Sequence, residues 1–245
     1  MCIKLGFRKI REIMIIESNN KFDFPSNLSD IWRLLNDCEH KLLRENSIVQ
    51  HYKRNQLIYS EGTSPIYLMC LLKGKVKIYK DGIYGRKQIL RVIKPIQYFA
   101  YRAYFAGENY LTSSSSFEPS IVCLIPMKVV QQIMRNNHNL CVFFIRQLSI
   151  DLGNADERVV NLTQKHLRGR LSETLLSLIK NYGLDTDSSI NIYLSREDLA
   201  NMSNMTTSNA IRTLSAFANE KIVAVDGRKI KLLNEEKLRR ISRIG

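Results

Sequence analysis

Thr207, Ser208 and Arg212 lie on one side of a short predicted helix, with Ser215 one turn further on. Side chains of these types at this spacing could contact base edges and phosphates. Short hydroxyls let a helix lie deep in the major groove of duplex DNA, and an arginine fork can pair bidentately with guanine O6 and N7. The helix that must position them is legible. Thr206 can cap it, and Ala210, Ile211, Leu214 and Phe217 recur at helical spacing and are expected to face inward. A first helix opens ahead of it at Ser195-Arg196-Glu197-Asp198. Ser195 can cap an early N–H and Asp198 holds the reciprocal position of a capping box. Leu199, Ala200 and Met202 give this helix an apolar side, and Ser203-Asn204-Met205 ends it. After the second helix come two apolar runs, 222–225 and 230–233, joined by the hairpin signal Asp226-Gly227.

Helix, turn, helix and hairpin in that order read as a winged helix-turn-helix. Thr207, Ser208 and Arg212 are then the expected base-reading set. Ser195, Arg196, Arg228 and Lys229 are the expected backbone contacts. The positive end of the second helix adds its own attraction for phosphate. The same elements could instead form a ligand-binding or protein-interaction module that does not touch DNA. Such a module would tolerate Arg212→Ala.

The charge balance favours a polyanionic partner without locating it. The chain has 245 residues and a net charge of +14. Residues 166–245 hold 13 Lys and Arg against 9 Asp and Glu, a net +4, which leaves +10 for residues 1–165. Apolar residues make up 44% and charged residues 24%, as in a globular domain pair, and no apolar run is long enough for a membrane helix. No membrane partner is expected. The five cysteines are scattered and the four histidines lack metal-ligand spacing, so neither a disulfide framework nor a metal site is expected and a cytoplasmic setting is. Motifs for nucleophilic, zinc-hydrolase or P-loop chemistry are absent, and no catalytic residue is assigned.

Residues 45–126 read as short strands separated by turns that contain glycine, a β-roll or barrel pattern. Lys75-Val76-Lys77-Ile78-Tyr79-Lys80 alternates with period two. Lys73, Lys75 and Lys77 are expected on the solvated side of that strand, with an anion-binding surface as the other reading.

From about Phe22 onward the chain resembles the cyclic-AMP receptor protein and FNR superfamily of bacterial transcription regulators. The resemblance rests on Leu194-Ser-Arg-Glu-Asp-Leu-Ala200, on Met205-Thr-Thr-Ser-Asn-Ala-Ile-Arg-Thr-Leu214, and on the spacing of Glu61-Gly62, Gly74-Lys-Val-Lys-Ile-Tyr and Gly85-Arg-Lys-Gln-Ile-Leu. It implies an α+β chain: a double-stranded β-helix of the cyclic-nucleotide-binding type, a long dimerisation helix and a winged helix-turn-helix. The corresponding boundaries are a leader at 1–21, a sensor roll at 22–137, the helix at 138–166 and the DNA-binding domain at 167–245. The best-known members carry Arg-Glu-x-x-x-Arg on the recognition helix, where this chain has Thr207-Ser208-x-x-x-Arg212. Their operator is therefore not expected.

The nucleotide cassette also departs. Cyclic-AMP binders present a Gly-Glu for the ribose and an Arg-Ser/Thr-Ala for the phosphate. The Glu position here holds Tyr101, and the Arg position falls within Thr112-Ser113-Ser114. A buried cyclic phosphate needs a fixed cation and backbone donors. An unidentified effector other than cyclic AMP is therefore expected, in an altered pocket drawn from Tyr98, Phe99, Tyr101, Arg102, Glu108, Thr112, Ser113 and Ser114. No cofactor is assigned. FNR holds an iron–sulfur centre through closely spaced N-terminal cysteines, a spacing this chain lacks.

Leu140, Phe144, Leu148, Leu152, Ala155, Val159 and Leu162 step by three and four along one helix. That stripe could pack on the chain's own roll, or pair with a second copy as the resemblance favours. A parallel homodimer would set two recognition helices about 34 Å apart on a palindromic site. RNA polymerase would be a further partner if the protein activates. Gly169 is the expected bend into the DNA lobe, with Arg168 and Arg170 near phosphate.

Overall fold

Asn36 opens the first α-helix of the sensor half with a capping box: its side chain accepts from the Glu39 amide at 3.0 Å, and the Glu39 carboxylate accepts from the Asn36 amide at 2.9 Å. This fixes α1 (Asp37–Asn46). The computed structural model describes residues 30–82, 85 and 87–244, so the leader expected over 1–21 lies outside the described residues.

Eight strands follow: β1 (Ile48–Tyr52), β2 (Leu57–Tyr59), β3 (Tyr67–Lys73), β4 (Val76–Asp81), β5 (Lys87–Ile93), β6 (Tyr98–Phe99), β7 (Ser113–Ser116) and β8 (Ser120–Pro126), with one turn of helix, α2 (Arg102–Phe105), after β6. They form two antiparallel four-stranded sheets, ordered β1-β8-β3-β6 and β2-β7-β4-β5. The roll closes over Tyr52, Tyr59, Met69, Leu71, Val76, Ile78, Ile93, Phe99, Tyr110 and Val122.

Gly74 turns β3 into β4 at φ +93°, in the left-handed region. A Cβ there would stand 2.6 Å from the Pro119 carbonyl oxygen and 2.8 Å from Ser120 Cα. Gly74→Ala meets both the strained φ and fixed backbone, so a loss of about 2–3 kcal/mol in urea unfolding is expected, with β8 displaced.

Two helices cover the roll, α3 (Met127–Met134) and the 27-residue α4 (His138–Gln164). Asn137 caps α4 by accepting from the Leu140 amide at 3.1 Å. The helix ends at Lys165, which is extended at φ −87° and ψ 139°. Gly169 is not the bend: it lies buried in the first turn of α5 (Leu167–Tyr182). Two residues, Lys165 and His166, make the break. Glu173 anchors it by accepting from Lys165 Nζ at 2.8 Å and from Ser242 Oγ at 2.5 Å. Burial raises the pKa of Glu173, but these two hydrogen bonds and the Lys165 charge outweigh it and hold the carboxyl below the usual range.

The C-terminal lobe contains α5, α6 (Arg196–Met202), α7 (Thr207–Asn219), the hairpin β9 (Val223–Asp226) and β10 (Lys229–Leu232), and α8 (Glu235–Ile244). Its core gathers Leu171, Leu175, Leu199, Ala210, Leu214, Phe217, Ile222 and Leu238. The same cluster takes in Tyr79, Ile89 and Phe117 from the roll, so the two halves share apolar packing.

Candidate nucleic-acid interface

Ser195 caps α6 as its sequence predicts: its Oγ accepts from the Asp198 amide at 3.0 Å and donates to Asp198 Oδ2 at 2.7 Å. Asn204 turns the chain at φ +50°, a conformation asparagine tolerates, and Arg170 donates to its carbonyl at 2.8 Å. Thr206 then caps α7, accepting from the Asn209 amide at 3.2 Å. Ala210, Thr213, Leu214 and Phe217 are buried beneath this helix, while Thr207, Ser208, Arg212 and Ser215 are exposed above it. Arg212 is already oriented, its Nη2 donating to Asn209 Oδ1 at 2.6 Å. Sequence reading did not single out Asn209.

Ile211 departs from expectation. It stands 45% exposed on the outer face instead of in the core. Helical spacing alone gave it an inward position, but Ala210 and Leu214 already fill that side and place Ile211 beyond the buried arc.

The expected backbone contacts separate. Arg228 is exposed in the turn itself, which consists of Gly227 and Arg228 and not of Asp226-Gly227, since Asp226 pairs with Lys229. Arg196 reaches that turn as well, donating to the Gly227 carbonyl at 2.6 Å, and so ties α6 to the hairpin. Lys229 is ion-paired with Asp187 at 2.5 Å, and Ser195 is occupied with its cap. Arg168 forks onto Glu220 at 2.8 and 2.9 Å. Among the residues so placed, the exposed α7 face and Arg228 present the freest polar surface.

Lys75 and Lys77 do not face solvent. Lys75 pairs with Glu118 at 3.0 Å, and Lys77 pairs with Asp198 of α6 at 2.8 Å. The outer side of β4 is covered by the C-terminal lobe: by the ordinary alternation of a strand, Val76 and Ile78 enter the roll while Lys77 and Tyr79 face that lobe.

The residues expected to line an effector pocket are not gathered around one space. Phe99 lies inside the roll, whereas Tyr98 and Tyr101 pack with the α4 side chains Phe143 and Phe144. Arg102 and Glu108 pair with each other at 2.6 Å. Ser113 accepts from the Glu61 amide at 3.0 Å, Thr112 stands 3.4 Å from the Tyr59 hydroxyl, and Ser114 is fully buried. The roll interior is occupied by Tyr59 stacked on Tyr110 with ring centroids 4.1 Å apart. Arg91, the other arginine near Tyr59, is bound to Asp151. Among these residues a cyclic nucleotide finds neither an uncommitted arginine nor open space. Burial raises Tyr101 to about 12, so its phenol stays neutral.

Of the α4 stripe, Leu140 and Phe144 are buried against the chain's own roll at 2% exposure each, and Leu148 packs against the same cluster. They cannot meet a second copy. The exposed large apolar side chains of α4 are Val142, Ile145, Ile150, Leu152, Val159 and Val160, and four of them, Val142, Ile145, Leu152 and Val159, lie along one line. With Ser149, Asp156 and Thr163 they repeat as a heptad seam, of which sequence reading caught only Leu152 and Val159.

A closed β-roll joined by one long helix to a winged helix-turn-helix defines the class of regulators that couple a sensor module to a DNA-binding module. Residues 49–137 match the cyclic nucleotide-binding domain family and residues 169–241 match the Crp-like helix-turn-helix domain family. The global nitrogen regulator of a Nostoc species is 22% identical over 187 residues, covering 75% of this chain and 84% of that protein. The fumarate and nitrate reduction regulatory protein of Escherichia coli is 22% identical over 209 residues, 83% of each chain. FixK2 from Bradyrhizobium japonicum superposes with a TM-score of 0.73 at 20% identity, over 80% of this chain and 96% of that one. The chain belongs to the Crp/Fnr superfamily. It is a transcription regulator of that type, with a sensor domain and a DNA-binding helix-turn-helix domain, and its relatives are regulators rather than enzymes. No described helix is long and apolar enough to cross a membrane.

Proposed function

We propose that the protein binds a palindromic promoter site as a homodimer, with Arg212 of each copy reading a base edge in the major groove. One observation carries this reading: Arg212 is exposed on the outer face of α7 and held in place by Asn209. Thr207 and Ser208 flank it as accessory contacts, and Arg228 and Arg196 lie where the hairpin would meet the phosphate backbone. The functional units are a sensor at 22–137, a pairing helix at 138–166 and a reader at 167–245. The setting is cytoplasmic, and RNA polymerase is a further partner if the protein activates. The effector is one other than cyclic AMP, a reading supported by the lack of an uncommitted cation facing the roll interior among the described residues. A ligand would act by binding one arrangement of the reader lobes more tightly than another.

Selection of bound duplexes from a random pool at fixed salt tests this. A two-fold symmetric motif is expected. A single asymmetric half-site, or no enrichment with or without cell extract, would overturn it. The pairing helix has its own test. Leu152→Ala removes about 2 kcal/mol from the dimer, counting both copies, and raises its dissociation constant about 30-fold in sedimentation equilibrium. Leu140→Ala would instead lower fold stability, because that side chain lies in the roll's own core.

A further inference from the structure

We infer that Ile211 is a specificity residue that contacts the C5-methyl group of a thymine beside the base read by Arg212. This deepens the DNA-reading role proposed above and rests on it. Ile211 is the large apolar side chain on the outer face of α7, and 45% of it is open to solvent. The core beneath the helix is already closed by Ala210, Leu214 and Phe217, each at 2% exposure or less, so the fold does not need an isoleucine here. Thr207 and Ser208 lie one turn before it and Ser215 one turn after, which places Ile211 in the middle of the exposed stripe, next to Arg212.

Thymine alone among the bases presents a methyl group in the major groove. A branched aliphatic chain docked there removes apolar surface from water on both partners. Against the cytosine amino group or the guanine carbonyl, the same side chain would strip water from a polar edge and offer no partner in return. Ile211 therefore selects for thymine and against the other bases. Asn209 holds the Arg212 side chain by a 2.6 Å hydrogen bond. A fixed arginine and an adjacent apolar contact together read a guanine and a neighbouring thymine in each half-site.

Replacing thymine with uracil deletes only the methyl group and so tests the contact directly. The full-length wild type, Ile211→Ala and Ile211→Val would be titrated against the selected duplex with uracil placed at each thymine in turn. For the wild type, one symmetric pair of positions should weaken binding about fourfold per methyl, near 16-fold for the pair. Ile211→Val should keep most of that penalty, and Ile211→Ala should lose it while binding the uracil duplex as the wild type does. Alanine favours a helix, so the variant keeps its fold. If Ile211→Ala retains every uracil penalty, or the wild type shows none, the methyl contact is overturned while the DNA-reading role stands. If the wild type enriches no duplex, that role itself fails and takes this inference with it.

Discussion

Arg212→Ala should weaken binding to the selected palindrome roughly 30- to 20,000-fold while leaving weak, sequence-independent binding in place. The range follows from one bidentate arginine–guanine pair at about 1–3 kcal/mol, counted once per half-site in a two-fold complex. The free side chain is exposed and already directed by Asn209, so little of that energy goes into ordering it. Arg212→Lys should recover only a small part, since an ammonium is a point charge and cannot match the paired acceptors of a guanine edge. The salt dependence distinguishes base reading from phosphate contact. Losing a base contact leaves the slope of log affinity against log salt nearly unchanged, whereas losing a phosphate contact lowers it by about one per copy. Arg228→Ala, at the exposed hairpin turn, should show that second pattern. Wild-type-like affinity of Arg212→Ala for the palindrome would overturn base reading by this arginine.

The reader lobe was legible because its signals are local. Ser195 and Thr206 cap the helices that their sequence positions assign to them, and the hairpin forms where Asp226-Gly227 signals it, although its two turn residues are Gly227 and Arg228, between the paired Asp226 and Lys229. The strands of the roll were legible as far as β5, β4 by its alternation and the others as short runs between turns, but β7 was hidden: Ser113-Ser114-Ser115-Ser116 has no apolar periodicity, and it becomes a buried strand only because β2 and β4 supply its partners. Long-range geometry was not legible either. The step pattern of α4 names seven apolar residues, yet which of them face the roll depends on the angle at which the helix crosses it. Leu140 and Phe144 turned inward, and the seam moved to Val142 and Ile145. Lys77 looked like a solvent-facing strand residue because its partner, Asp198, lies 121 positions away.

Arg158 is the other residue that only the structure reveals, and its removal should uncouple the two halves. Its Nη1 donates to the Leu90 carbonyl, and its Nη2 donates to the carbonyls of Ile89 at 2.5 Å and Met202 at 3.2 Å. One side chain on α4 thus joins β5 of the roll to the last turn of α6 in the reader. Burial pulls its pKa below the usual arginine value. Two of these charged hydrogen bonds stay within the sensor half, and only the one to Met202 reaches the reader, so the arginine ties the lobes by about 1.5–3 kcal/mol. Arg158→Met keeps most of the volume and loses every donor. Urea unfolding should then separate into two transitions, with faster amide exchange in α6 and β5 than in β8. Arg158→Lys should fall between the two, since it restores a charge without the fork. A single transition within about 1 kcal/mol of the wild type would show that the Tyr79, Ile89 and Phe117 packing holds the lobes together without the arginine. The coupling matters because α4 also carries the proposed pairing seam. In the proposed dimer, a change that rotated one helix against its partner would reach α6 through this guanidinium, and α6 packs directly on the helix that bears Arg212.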